Sequence, residues 1–425
     1  MVEGVQIKKG FNPTELGLLP ADWNVSPLKE IGSFKKGQGI PKSELKDEGL
    51  PCVLYGEIYT KYHFAVKELQ NRIDIITAKN SKEIKYGDIL FAGSGETAED
   101  IGKCFTYIGD QLAYAGGDII ILTPKQDIDS IYLGYVLSNE QSQNQKLYLG
   151  QGSSVYHIYA SNLEQLRIPL PPTKAEQTAI ATALSDMDAL IEAQEKLIVK
   201  KRMIRQGVMQ ELLSGRKRLV EPAQEGYKKS ELGLIPEDWE IRQLGEVGDV
   251  KMCKRIFNYQ TTSTGTIPFY KIGTFEKEAD AYISEKLFRN YKQRFAFPKK
   301  GDILISASGT IGRTVVYNGK PAYFQDSNII WLDNKESLIS NEYLFYVYQV
   351  VKYSTEGGTI QRLYNDIIKN TNFICPPDQA EQNKITEVLM IMDTEIEQLE
   401  SQLLKYKHIK TGMMQDLLTG KRRLV

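Results

Sequence analysis

The chain has 425 residues, 41% of them apolar and 25% charged, and a formal net charge of −1. That length supports two or three domains with real cores. The near-zero charge excludes a whole-chain field for nucleic acid, so any such contact must come from local basic patches. Four scattered cysteines (Cys52, Cys104, Cys253 and Cys375) without a CxxC pair, and only three histidines, argue against a zinc site and fit buried free thiols in a reducing cytosol. "MVEGVQIKKG" lacks a signal-peptide core and no apolar run reaches the roughly 20 residues of a membrane span, so a soluble cytoplasmic protein is expected.

In chain order, "GFNPTELGLLPADW" (Gly10–Trp23) opens a stretch that reads as mixed, with more strand than helix. "YGDIL" predicts a turn and then a strand, "AYAGGDIIIL" a β-branched run bounded by turn formers, and "SIYLGYVLSN" a helix. Glycine-bearing polar loops punctuate it: "KKGQGIPK", "AGSGETAEDIGK" and "LGQGSSVYH". Pro171-Pro172 then starts a long helical pattern that stops near Gly215, with Lys and Arg clustered in its last turns. After the linker "EPAQEGYKK" (Glu221–Lys229) the pattern begins again. "GYKKSELGLIPEDW" (Gly226–Trp239) answers the opening motif, and "KGDILISASGTIGRT", "AYFQDSNIIWL" and "NEYLFYVYQVVKYS" answer the first strands, loops and helix. The loop "EGGTIQRLYND" precedes a second Pro-Pro and a second helical tail, which stops near Gly420.

The repeat is plainest in the tails. Pro171–Val220 aligns with Pro376–Val425 without a gap at a constant offset of 205, about half the positions being identical, and ends in "LLSGRKRLV" and "LLTGKRRLV". The opening motifs align at an offset of 216. Two copies of so large a unit are a duplicated domain and not a solenoid array. The boundaries read as 1–170, 171–220, 221–375 and 376–425. The tails have kept one sequence while the heads have drifted apart.

Ile385, Leu389, Met392, Ile396, Leu399 and Leu403 fall at steps of four and three, a heptad seam; Ile180, Leu184, Met187, Ile191 and Ile198 repeat it, with Gln194 standing where the second copy has Leu399. A helix of about 40 residues would run about 60 Å. One such seam alone would stay wet, whereas two can bury each other. An α+β protein is therefore expected: two mixed α/β heads held apart by an antiparallel coiled coil of the two tails. The alternative is that each helix packs only on its own head. A polar seam residue such as Gln194 can fix register at some cost in stability.

Catalytic patterns are missing. No phosphate loop, dinucleotide fingerprint, G-x-S-x-G elbow, H-E-x-x-H or N-P-P-aromatic segment occurs. Asp88 and Asp302, in the repeated "GDIL", fit an acidic catalytic residue, but opening a strand after a tight turn is the favoured reading. What remains are loops rich in basic and amide residues, the equipment that reads DNA: Arg and Lys for phosphates and guanine edges, Gln and Asn for adenine. The candidates are Lys35, Lys36, Gln38, Lys103, Gln151, Ser153 and Ser154 in the first head. In the second they are Lys251, Lys254, Arg255, Arg313, Gln361, Arg362 and Asn365. Each could equally be a solvated loop residue; the recurrence of the loops favours the set.

Tandem heads, "LG-L-x-P-x-D-W" openings, the helix starts "PLPPTKAEQTAIATALSDMDALI" and "CPPDQAEQNKITEVLMIMD", and the doubled endings together resemble the specificity subunit of Type I restriction-modification systems. The resemblance covers essentially the whole chain. It implies a non-catalytic DNA-binding subunit whose heads are target recognition domains, each reading half of a split, asymmetric double-stranded site. It also implies that the helix pair acts as a ruler between half-sites, and that two methyltransferase subunits and restriction subunits are partners. S-adenosylmethionine, ATP and Mg2+ would belong to those partners, and this chain would carry no cofactor or metal. Two other classes stay open at this point: a protein-binding scaffold or inhibitor of the same architecture, and an enzyme with an unrecognised nuclease site.

Overall fold

The computed structural model describes residues 10–95, 97, 100–150, 156–221, 225–275, 277–353 and 362–424. The chain divides into two compact units, Met1–Glu195 with Ser401–Val425, and Lys196–Glu400. Each contains one head, the first half of its own tail helix and the second half of the other. The two long helices run Lys174–Leu213 and Gln379–Leu417, and the unit boundaries cut both in the middle.

Both heads share one plan. A hairpin formed by the opening motif (Phe11–Thr14 with Gly17–Pro20; Tyr227–Ser230 with Gly233–Pro236) precedes a strand that pairs with the head's last strand. That closing pair is Asn24–Pro27 with Arg167–Leu170 in the first head, and Glu240–Gln243 with Asn372–Cys375 in the second. Between them lie two sheets. One has the order Gly32–Lys36, Ile119–Pro124, Ile89–Ala92, Cys104–Tyr107 and Phe64–Val66. Its counterpart is Gly248–Met252, Ile329–Asn334, Ile303–Ser306 and Thr314–Val316. The other sheet has five short strands in the first head and four in the second.

The expected turn-and-strand elements are present. Gly87 and Gly301 turn with positive φ, and Asp88 and Asp302 accept backbone N–H bonds from Lys85 and Lys299 at 2.9 and 2.7 Å before strands Ile89–Ala92 and Ile303–Ser306. The turn reading of both aspartates accounts for their place. The run "AYAGGDIIIL" forms two strands, not one. Ala113–Ala115 lies in one sheet and Ile119–Pro124 in the other, with Asp118 turning between them at φ 63°. Tyr323–Phe324 and Ile329–Asn334 repeat this, with Ser327 at φ 54°. The helices Ser130–Leu137 and Asn341–Val350 are capped by Asp129 and Ser340, whose side chains accept from N–H groups of the first turn. All four cysteines are free and buried, and burial pushes the Cys52, Cys253 and Cys375 thiols up to about 12.

The two tails are antiparallel within each unit. In the first, Asp188 meets Lys410 and Glu195 meets Lys407; in the second, Arg205 meets Asp393 and Arg202 meets Glu400. The seam residues Ile180, Leu184, Ile198, Ile385, Leu389 and Ile396 are buried, and Met187, Ile191, Met392, Leu399 and Leu403 half-buried. Packing on the heads accompanies this pairing and does not replace it. Ile180 and Leu184 join the first head's core around Trp23, and so do Leu417 and Leu418 from the other tail's end. Ile385 and Leu389, with Leu212 and Leu213, do the same around Trp239.

Each doubled ending therefore docks on the opening motif of the other repeat copy. Gly215 and Gly420 follow their helices with φ of 70° and 63°, and their neighbours close the helix ends with backbone bonds Lys217 N to Glu211 O and Arg422 N to Asp416 O, both 3.1 Å. A Cβ at either glycine would lie 2.4 Å from Cγ of Pro236 or Pro20, so the proline of the opening motif packs where only glycine leaves room. Three residues beyond the glycine, Arg218 holds Asp238 at 2.9 and 3.0 Å and Glu381 at 2.8 Å, and its guanidinium lies over the Trp239 ring. Arg423 repeats the set with Asp22, Glu176 and Trp23.

Candidate nucleic-acid interface

Strand direction gathers the polar loops. In each head the strand Gly32–Lys36 or Gly248–Met252 and the "GDIL" strand run parallel to each other, flanking an antiparallel strand between them. The loops after Lys36 and Ala92 and the turn before Ile119 therefore share one end of the sheet. The loops after Met252 and Ser306 and the turn before Ile329 do so in the second head.

A fourth segment joins them. Ser94 pairs with His157, the Ser94 hydroxyl lying 2.8 Å from His157 Nδ1, and Ile158 N donates to Gly93 O at 2.9 Å. In the second head Ser308 bridges Arg362, and Leu363 N donates to Ala307 O at 2.9 Å. Asp118 O accepts from Gly93 N, as Asn328 O does from Ala307 N, both at 2.8 Å. One backbone scaffold thus presents His157 in one head and Arg362 in the other.

The sequence candidates divide around this end. Lys36 and Gln38 are exposed there, with Gln38 N bonded to Ala115 O. Lys35 is also exposed, but its side chain joins Lys79, Lys82 and Tyr114 around a shallow depression. Lys103 is half-buried and donates to Tyr59 O at 2.9 Å, while Tyr59 Oη donates to Ser94 O at 2.6 Å. Lys254 and Arg255 are exposed at the second head's end, Arg255 paired with Asp326 at 2.8 Å. Lys251 is half-buried within its strand, one residue from the loop end. Arg313 is half-buried, donates to Ile272 O at 3.1 Å and lies over the Phe275 ring. Asn365 is the first residue of the short helix Asn365–Lys369. Gln151, Ser153, Ser154 and Gln361 lie outside the described residues.

Two features escaped sequence reasoning. His157 sits in a quoted loop yet was not among the candidates, because its pairing with Ser94 spans 63 residues. Phe257 and Tyr259, beside Lys254 and Arg255, stack at 5.8 Å with 10° between planes while staying exposed. The alternation of aromatic, basic and amide residues in "KRIFNYQ" is the sequence signal for such an exposed aromatic stack. Lys146 is buried, and its ammonium donates to Gly102 O at 2.9 Å and Leu137 O at 3.0 Å, bracing the loop that leads to Lys103. Among the described residues, no group of three His, Cys, Asp or Glu side chains is placed to hold a metal ion, and no helix is long and apolar enough to cross a membrane.

Fold and site together define a duplicated protein: two heads of one plan, each presenting a polar loop cluster from the same sheet end. The Type I restriction modification DNA specificity domain matches it twice, over residues 20–200 and 236–406, and the chain belongs to that family. A protein of Haemophilus influenzae that carries the name of a type I restriction enzyme specificity subunit is 42% identical over 282 residues, 66% of this chain and 69% of that one. The MjaVIII specificity subunit of Methanocaldococcus jannaschii is 28% identical over 100% of this chain and 99% of its own. The crystal structure of the S subunit from M. genitalium covers 97% of this chain and 98% of its own with a TM-score of 0.58 at 17% identity, a likeness of fold.

Proposed function

We propose that this chain is the sequence-reading subunit of a Type I restriction-modification complex, with each head reading one half of a bipartite, asymmetric DNA site. The observation that carries this is the pair of equivalent loop ends with unlike side chains. Gln38 and His157 stand in one head where Lys254 and Arg362 stand in the other, and Lys36 where Met252 does. Matching scaffolds with different donors and acceptors read different bases. The domains are 1–170 and 221–375 as readers, with 171–220 and 376–425 as the helical ruler that sets the unread spacer.

The chain itself is non-catalytic in this reading and works in the cytoplasm. Two methyltransferase subunits dock on it and bring S-adenosylmethionine, and flipping of the target adenine into a methylating pocket is their work. Restriction subunits bring ATP and Mg2+. Lys35, Lys36, Gln38, Lys103, Lys251, Lys254, Arg255, Arg313, Arg362 and Asn365 contact DNA or position the loops that do.

The test is single-molecule methylome sequencing of the host with and without this gene. Loss of N6-methyladenine at one split motif is expected. An unchanged methylome, with methyltransferase present, would overturn the reading.

A further inference from the structure

The offset of 216 that aligns the opening motifs continues, without a gap, into the first loop of each head. Strand Gly32–Lys36 becomes Gly248–Met252, the short 3-10 helix Lys42–Glu44 becomes Asn258–Gln260, and the strand Leu45–Lys46 becomes Thr261–Thr262. Burial keeps the same register. Residues 37–44 and 253–260 are buried, half-buried and exposed at the same steps, with Ile40 and Ile256 as the buried anchors in mid-loop.

One scaffold therefore shows two different outward faces. The first head carries Pro41 and Ser43 where the second carries Phe257 and Tyr259. The fold does not need the rings, since the same turn is built without them. They are nonetheless held in place: Phe257 N donates to Gln260 Oε1 at 2.9 Å, and just before them the Tyr323 hydroxyl donates to Lys254 O at 3.0 Å. The two rings lie within 10° of parallel at 5.8 Å, and Tyr259 is 83% exposed. Aromatic side chains contribute chiefly through the area they bury, so a fixed pair left in water fits a ligand with flat faces.

The surroundings give that ligand its charge. Lys254 and Arg255 precede the pair, and the end of helix Glu285–Arg294 is tied to the same place. The Lys254 ammonium lies 5.3 Å from the Phe295 ring centre, and the Arg294 guanidinium 5.8 Å from it. Lys292 and Arg294 are exposed beside it. Among the described residues, Arg255 alone of these four cations is paired with a carboxylate, Asp326 at 2.8 Å. A polyanion with stackable faces is a nucleic acid. Within a duplex each base is covered by its neighbours, so rings reach a base face only where a step has been opened.

We propose that Phe257 and Tyr259 stack on a base at an opened step of the DNA held by the second head, and that the first head, with Pro41 and Ser43 in the same place, leaves its half-site stacked. The inference rests on the functional reading above and adds to it: deformation as well as base edges distinguishes the two halves of the site. A step that unstacks easily, such as pyrimidine–purine, is then favoured beside one half-site and not the other.

The experiment uses the full chain in complex with its methyltransferase. The duplexes carry the split site found by methylome sequencing, with the unread spacer and flanks written in A·T pairs. 2-Aminopurine, which brightens when it loses stacking on neighbouring bases, replaces one adenine at a time outside the methylated positions. The expected result is a bright position beside one half-site only. It should go dark in the double variant Phe257→Ala with Tyr259→Ser, whose affinity for the duplex should fall roughly tenfold, as for one lost base–aromatic contact. Tyr259→Phe keeps the ring and should keep the signal. No bright position, one that survives the double variant, or a signal lost equally in Tyr259→Phe would overturn the inference and leave the functional reading standing. So would a double variant that no longer holds the methyltransferase, which would make the pair a protein contact. A wild-type complex that does not prefer the split site to a scrambled duplex would overturn both.

Discussion

Lys410 meets Asp188 at 2.5 Å, bringing the end of one tail to the start of the other, and the repeat copies the contact as Arg205 with Asp393 at 2.7 Å. Each aspartate also accepts from a tyrosine of its own head, Tyr135 at 2.6 Å and Tyr346 at 2.8 Å. The Met-Asp pair kept in both tails is thus a node joining head, own tail and other tail. Lys410 is buried with its ammonium over the Phe64 ring, so it depends on that carboxylate. Asp188→Ala should destabilise the first unit by about 3 kcal/mol, as expected when a buried charge loses its partner. Urea unfolding followed by tryptophan fluorescence checks this, and an effect below about 1 kcal/mol would mean water replaces the carboxylate.

The Arg423 guanidinium holds the Asp22 carboxyl below the usual carboxylate range. A depressed folded-state value gives stability that is present above the ordinary carboxylate pKa and is lost as pH falls through the folded one. Arg423→Ala should therefore flatten the acid side of the stability profile below about pH 4. Arg218→Ala should cost roughly 3 kcal/mol at neutral pH. Both variants strip a buried glutamate of its guanidinium, Glu381 or Glu176, and Arg218→Ala should cost the more because Arg218 is itself the less exposed arginine. Equal losses for the two variants would count against this ranking.

Gly215→Ala and Gly420→Ala combine a left-handed backbone with a proline ring in the space of the new Cβ. The backbone alone costs about 1 kcal/mol, and the clash should bring the total to about 2 kcal/mol or more. Pairing Gly420→Ala with Pro20→Ala should return the clash share but not the backbone share. Thermal unfolding of Gly420→Ala, Pro20→Ala and the double variant separates the two.

Much of this architecture was legible because the tails repeat at constant offset. The heptad steps gave the long helices, and "GDIL" gave its turn and strand in both heads. Other features were hidden by physical causes. "AYAGGDIIIL" reads as one strand because nothing local says that Asp118 turns the chain into a second sheet. "EQSQNQKLYL" is polar all round, so its helix has no apolar stripe to announce it, and it is held by amide bonds to Leu16 and Arg167. The docking of each ending on the other copy's opening motif was implicit in the conserved glycine, proline, arginine and aspartate, but only their spatial meeting gives them a role. The loop candidates were named by residue type, and long-range pairing decided which stand at the sheet end.

His157 and Arg362 occupy one scaffold position in different heads, so their removal should affect different half-sites. Arg362→Ala is expected to relax or weaken recognition of one half-site by about 1–3 kcal/mol, as for a lost base contact, with the other half unaffected. His157→Ala should do the reverse. Methylation of a duplex library carrying single changes in each half-site measures both, and a uniform loss across the site would assign these residues to phosphate contact instead.

Gln194 is the polar interruption of the first seam. It is buried and donates to Gln402 Oε1 at 3.4 Å, a long contact, while the Gln402 amide donates to the Tyr406 hydroxyl at 2.5 Å. Gln402 is exposed, so water can serve it if Gln194 goes. Gln194→Leu should then stabilise the chain by about 1 kcal/mol, from apolar burial in place of an amide. If the amide also fixes register, the variant should show more than one helix pairing. Cysteines placed at 188 and 410, and one turn away at 406, would report that as a second disulfide species. A loss of stability in Gln194→Leu would mean that the amide bond outweighs the apolar gain.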